Sequence, residues 1–236
     1  MASPASGQSR VSTGNSEIDK KMGGRLPKGS VVLIEGAQDS GKSVLTQQLV
    51  WGSLREGCSV SVFTTENTVR SFLRQMDSLG LEVVDYCLLG RLKVFPTKVT
   101  KAKDGAGQAL AGLLHALGGQ KTRELVVVDA LTSFVAHAQP QDTISFFEEC
   151  KSLCGGETTL ATVAHSYAFE ATTLVRIGSL CDAHIRMATE KAGERIVKTL
   201  EVSKIRGAQL STGNIITFDV EPGWGMRIIP FTKARA

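Results

Sequence analysis

Two apolar periods alternate along the first two thirds of the chain. Val31-Val-Leu-Ile34 and Leu125-Val-Val-Val128 are short unbroken apolar runs, the pattern of strands buried on both faces of a parallel sheet. Cys58 to Phe63, Leu92 to Phe95 and Thr158 to Ala164 predict three more strands, the second stopping at Pro96. Helical spacing fills the intervals: Leu45 with Leu49, then Val69, Phe72, Leu73, Met76 and Leu79 within a helix over 67–79 that lays one face on the sheet. Leu110, Leu113, Leu114 and Leu117 mark a helix closed by Gly118-Gly119, and another runs from Asp142 to Cys154. Upstream, Ser16 with Asp19 has the spacing of a capping box.

The last third changes period. Leu180 to Met187, Ile196 to Ser203, Ile215 to Val220 and Met226 to Ile229 are apolar-rich runs between Gly, Pro and charged turns, and no helix of normal length fits after residue 180. The order predicts an α/β fold, a mostly parallel central sheet flanked by helices with antiparallel C-terminal strands. Residues 1–10 are expected to be a disordered lead, 11–236 a single domain, and Lys98 to Gly107 a mobile loop.

The first strand runs into Gly36-Ala37-Gln38-Asp39-Ser40-Gly41-Lys42-Ser43 and then Val44, which opens a helix. This satisfies G-x-x-x-x-G-K-[ST] at each fixed position, between a strand and a helix as the motif requires. Two glycines let successive N–H groups and the helix N-terminus aim at one anion. Lys42 is suited to the β- and γ-phosphates of ATP, and the Ser43 hydroxyl to the bridging Mg²⁺. Asp129 ends the second buried run where a parallel sheet presents ligand groups, the place of a Walker B carboxylate; a strand-ending Asp also commonly caps the next turn. His165, at the end of a later strand, is open to two readings, contact with the γ-phosphate or a cap on the sheet edge. With the antiparallel strands that follow, the pattern argues for a RecA-like P-loop core.

Composition narrows the setting without naming a partner. A length of 236 residues with 42% hydrophobic content allows a full core, and a net charge of +4 is too weak to imply nucleic acid. Five cysteines, an odd number without C-x-x-C spacing, point to reduced thiols and a cytosolic compartment. Cys150 and Cys154 read as small-residue packing on a helix. No apolar run approaches a membrane span and no signal core opens the chain, so it is expected to be neither secreted nor membrane-spanning.

Ser12-Thr-Gly, Gly23-Gly-Arg-Leu-Pro-Lys-Gly-Ser-Val-Val-Leu-Ile-Glu-Gly36 and the phosphate loop resemble the opening of the KaiC and RadA branch of RecA-type ATPases. Within that branch, Asp39-Ser-Gly-Lys-Ser-Val-Leu-Thr-Gln-Gln48, Thr64-Thr-Glu-Asn-Thr68 and the single-domain length are similar to the FlaH (ArlH) family, ATPase homologues of the archaellum motor complex. The likeness spans residues 12 to about 230. It implies that Glu66 polarises an attacking water; an ordinary helix-start carboxylate is the plainer reading of the residue itself. KaiC-like proteins usually carry two adjacent glutamates where this chain has Glu66-Asn67, and an Asn can orient water but not accept its proton, which favours binding over turnover. Lys204-Ile-Arg206-Gly207 resembles the K-x-R-G segment that reaches the γ-phosphate of a neighbouring subunit, against the plainer reading of a solvated basic pair. The resemblance therefore implies a homohexameric ring, the secretion ATPase FlaI and the scaffold ring FlaX as partners, ATP with Mg²⁺ as cofactors, and a cytoplasmic site, peripheral to the membrane through partners. A recombinase-like DNA-binding ATPase is the alternative. Against it, Ser166-Tyr-Ala-Phe-Glu-Ala-Thr-Thr173 carries an acid and no base before Arg176, leaving Lys98, Lys101 and Lys103 as its support; no nucleic acid is expected. A clock or signalling kinase would need a second ATPase half, for which the chain is too short.

Overall fold

The unbroken apolar runs are central strands because both faces of the sheet are covered. In this computed structural model, which describes residues 10–99, 105–192, 195–213 and 215–229, the chain begins with α1 (Ser16–Lys21), β1 (Val31–Gly36), α2 (Lys42–Arg55), β2 (Val60–Thr64) and α3 (Val69–Ser78). There follow α4 (Val84–Leu88), β3 (Leu92–Pro96), α5 (Ala106–Gly118), β4 (Leu125–Asp129), α6 (Thr132–Val135), α7 (Pro140–Leu153) and β5 (Thr159–His165). A last helix, α8 (Ala171–Leu180), leads to β6 (Ala183–Ala192), β7 (Arg195–Ile205), β8 (Ile215–Glu221) and β9 (Gly225–Ile228). Among the described residues the strands form one sheet in the order β3-β2-β4-β5-β1-β6-β7-β8-β9. It is parallel from β3 to β6 and antiparallel from β6 to β9. The architecture expected from the sequence is therefore the one found.

Alternation along each strand divides the core in two. Val32 and Ile34 of β1 with Leu125 and Val127 of β4 face the cluster that holds α2 and α3, whereas Val31, Leu33, Val126 and Val128 face the cluster of α5, α7 and α8. α2 is wrapped further than its Leu45–Leu49 stripe suggests: Thr46, Gln47, Gln48 and Ser53 are buried with it. The Gln48 amide bridges distant segments, donating to the Thr13 carbonyl (3.1 Å) and accepting from Met226 N–H (3.3 Å).

Several local expectations are corrected. The N-cap of α1 is Asn15, whose side chain accepts from the N–H groups of Glu17 and Ile18, not Ser16. Asp19 instead turns back to accept from Ser12 Oγ (2.6 Å), Thr13 N–H (2.9 Å) and Thr13 Oγ1 (2.7 Å), tying the leading segment to the helix. Val69 is 41% exposed because it starts α3 on the outward side, while Phe72, Met76 and Leu79 are buried. α8 has no counterpart in the sequence pattern: its stripe is only Thr173, Ile177 and Gly178, and Leu180 closes it instead of opening a strand. Gly178 is needed there, since a Cβ would lie 2.9 Å from the His184 ring. Of the expected loop Lys98 to Gly107, residues 100–104 fall outside the described residues, as does nearly all of the 1–10 lead. All five cysteines are free, and Cys150 and Cys154 pack in the core as expected. No helix among the described residues is long and apolar enough to cross a membrane.

Asp19→Ala is expected to lower stability by about 2 kcal/mol, the scale of hydrogen bonds to a charged group. Urea unfolding should show a lower midpoint at unchanged slope.

Candidate functional site

The site lies along the carboxyl ends of β1, β2, β4 and β5, where a cleft of about 570 Å³ is lined by Lys42, Ser43, Glu66, Asp129 and His165 together with Gln38, Asp39, Gly41 and Val44. Its floor is the turn from β1 into α2. Gly36 must be glycine because a Cβ would stand 2.0 Å from the Met187 carbonyl oxygen of β6. Gly41, at φ +92°, is the left-handed residue that turns the chain into α2. Ser40 Oγ donates to the Ala37 carbonyl at 2.8 Å and fixes the loop's curl. The N–H groups that open α2 thus face the cleft, a favourable place for an anion.

Charge in the cleft is largely stripped of water. Lys42 is 6% exposed and donates to the Ala37 carbonyl (2.5 Å). Burial lowers its pKa, opposed by the charges of Asp129, Glu66, Asp39 and Glu35. Asp129, also 6% exposed, accepts from Ser43 Oγ at 3.3 Å. Burial, aided by the negative charge of Glu66, pushes its carboxyl up to about 6 against the pull of Ser43 and Lys42. Beneath the loop Glu35, 5% exposed, is held by Ser166 Oγ and by Arg186 Nε at 3.2 Å, and His184 Nε2 lies 3.4 Å from it. Burial alone would raise the Glu35 pKa; His184 and Ser166 outweigh it and leave it lowered.

β5 runs between β4 and β1, and His165 at its carboxyl end lines the cleft. Thr132 Oγ1 holds it twice, 3.1 Å from Nδ1 and accepting its backbone N–H at 2.9 Å. Its ring stacks on Tyr167 at 5.2 Å, and burial followed by the charge of Lys42 lowers its pKa. Asn67 does not line the cleft: its side-chain oxygen accepts from Ser71 Oγ (3.1 Å) at the start of α3.

Lys204 and Arg206 are not brought to this cleft within one chain. Lys204 pairs with His184 near the start of β6, whereas Gly36 pairs with Met187 further along the same strand. β7 ends at Ile205, after a bulge, so Arg206 lies just beyond it. The two still converge, on the end of α8: Lys204 Nζ donates to the carbonyls of Gly178 (2.7 Å) and Ser179 (3.1 Å), and Arg206 to Ser179 (3.0 Å) and Asp182 (3.2 Å). Sequence reasoning missed Lys198 on β7 and Gln75 on α3, which also line the cleft. The Lys198 stem crosses Gly41, its Cδ 3.4 Å from where a Cβ would be. A single lysine in a β-rich segment carries no signal of its own; only the antiparallel return of β7 beside β6 places it there.

The family model of the KaiC ATPase matches residues 11–233. The chain belongs to the KaiC family of ATPases. An ATPase family of this P-loop type implies nucleotide binding. The chain is 28% identical over 228 residues to the archaeal flagellar ATP-binding protein FlaH of Sulfolobus acidocaldarius, covering 96% of this chain and 99% of that protein. FlaH of Methanocaldococcus jannaschii is 24% identical over 223 residues, covering 93% and 94%. The FlaH crystal structure from that organism superposes with a TM-score of 0.83, covering 94% of this chain and 99% of that one at 24% identity. The likeness to FlaH read from the sequence is thus found again, and the fold is RecA-like.

Asp129 also yields a pH dependence. The folded carboxyl keeps its proton up to about pH 6, the unfolded one only to about 3.8, so stability contributed by this group falls as pH rises through that window. Asp129→Asn should therefore stabilise the nucleotide-free protein at pH 7.5 by a few kcal/mol, since each tenfold change in proton affinity is worth about 1.4 kcal/mol. The gain should vanish near pH 4, as read by thermal melts across pH.

Proposed function

We propose that this protein is an ATP-binding subunit of an archaellum motor complex, in which nucleotide occupancy rather than rapid turnover is the signal. One observation carries the nucleotide part. Lys42 and Asp129 are both buried in one cleft beside the loop N–H groups, and they are bonded to the loop carbonyl and to Ser43 rather than to each other. Buried charges without an ion pair are costly, and a triphosphate with a divalent cation supplies the missing partner of each.

The donor set fits Mg·ATP. The amides from Gly36 to Ser43 and the Lys42 ammonium would hold the phosphates, and the Ser43 hydroxyl with the Asp129 carboxylate would hold Mg²⁺. Bound Mg²⁺ would supply charge neutralisation at the β- and γ-phosphates. Glu66 stands at the rim, where a carboxylate can take a proton from water, and His165 stands where a polar contact to the γ-phosphate is expected. With Asn67 engaged in starting α3, Glu66 acts alone and hydrolysis is weak or absent.

Lys204 and Arg206 act across a subunit boundary, completing the site in a homohexameric ring. The names of the FlaH relatives support the archaellum setting. FlaI and the FlaX ring are the partners of this reading, at the cytoplasmic face of the cell membrane.

Lys42→Ala should weaken Mg·ATP binding about 100-fold, the scale of a charged hydrogen bond lost, in equilibrium dialysis; binding within threefold of wild type would overturn the site. Glu66→Gln should bind ATP normally, and a variant that binds none makes Glu66 structural. Arg206→Ala should abolish ATP-dependent assembly in sedimentation while the monomer stays folded; unchanged sedimentation with ATP removes its role in trans.

A further inference from the structure

We propose that the groove between α3, α4 and the end of α2 is a docking site for a basic amphipathic segment of a partner protein. The groove has a volume of about 620 Å³, with Trp51, Leu73, Leu81 and Val83 among its lining residues. It is separate from the nucleotide cleft, although α3 borders both, through Leu73 and Asp77 here and Gln75 there.

Several large apolar residues beside this groove are left uncovered by the fold. α4 has no fully buried residue, yet it and the position after it present Val84 at 52%, Leu88 at 81% and Leu89 at 73% exposure. The turn between β8 and β9 comes against the same groove, since a Cβ on Gly80 would stand 2.2 Å from the Gly223 carbonyl oxygen, and the next residue, Trp224, is 78% exposed. Val84 and Leu89 line the groove and Leu88 adjoins them in the chain, and exposed large apolar side chains beside a groove with an apolar floor mark a surface that another molecule covers.

Charge selects the occupant. Asp77, Glu82 and Asp85 line the groove, and none has an ion-pair partner among the described residues. The one cation of the lining among the described residues, Arg55, lies over the Trp51 ring at 4.6 Å. A segment with Leu, Ile or Phe anchors on one face and Lys or Arg beside them fills the groove and neutralises the rim. An acidic peptide or an anionic lipid surface meets uncompensated like charge.

Of the chain's two tryptophans, Trp51 lines the groove and Trp224 follows Gly223, which packs on the groove residue Gly80, so intrinsic fluorescence reports occupancy. The probe is a 14-residue helical peptide of leucine and lysine, compared with its leucine and glutamate counterpart, on the full chain. The lysine peptide should bind saturably with a shift in tryptophan emission, and the glutamate peptide should not. The double substitution Leu88→Glu and Leu89→Glu, at exposed positions that leave the core untouched, should weaken binding about tenfold or more. Asp77→Lys with Asp85→Lys should reverse the preference between the two peptides. The proposal is overturned if both peptides bind the wild type equally, or if the leucine variant binds as the wild type does. It is also overturned if the free protein sediments as a dimer that the leucine variant dissolves, which makes a second copy the occupant. A tryptophan shift with phosphatidylserine vesicles and none with the lysine peptide makes a lipid surface the occupant.

Discussion

Two opposite charges stand at the carboxyl edge of the sheet, each 6% exposed, without a direct ion pair between them. Lys42 is bonded to a carbonyl of its own loop and Asp129 to the Ser43 hydroxyl. Such an arrangement costs free energy in the isolated chain, visible in a carboxyl pushed up to about 6. The surrounding fold has to hold it in place. β1 and β4 are buried on both faces, the Gly36 backbone is pressed against β6, and α2 packs on the sheet at β1, β2, β4 and β5 and against β9.

The strand order gives the cleft two unlike ends. Glu66, Asp129 and His165 follow β2, β4 and β5 on one side of the loop, whereas Lys198 and Val220 come from β7 and β8 on the other. The acidic end is suited to a metal and a water, and the other end offers a lysine stem and an aliphatic wall. Beneath the loop, Glu35 joins β1 to β6 through His184 and Arg186 and to the turn after β5 through Ser166. The phosphate loop therefore rests on a layer whose buried carboxylate has a cationic partner in Arg186, unlike the layer above it.

The fold was legible where one local rule decides the outcome. Unbroken apolar runs gave β1 and β4, and glycine spacing gave the loop with Lys42 and Ser43. It was less legible where a choice among neighbours depends on tertiary contact. Ser16 and Asn15 are both competent caps, and Asn15 prevails because Asp19 is drawn away to Ser12 and Thr13. α8 is rich in β-branched residues with a stripe of three small or medium side chains, too weak a period to stand out. Lys198 was invisible because it reaches the cleft only through the antiparallel pairing of β7, and Gln75 because a polar position on a helix carries no signal of its own. Lys204 and Arg206 were singled out only by resemblance to a K-x-R-G segment, and their contacts with the end of α8 could not be read from it.

The central claim is that the loop from Gly36 to Ser43 closes on a triphosphate with its metal. Isothermal titration of the wild-type chain with ATP tests it most directly, once with Mg²⁺ and once with excess chelator. The account predicts a saturable one-site isotherm with Mg²⁺ and a markedly weaker one without it. No heat of binding with Mg·ATP, at protein concentrations where folding is verified, would contradict it.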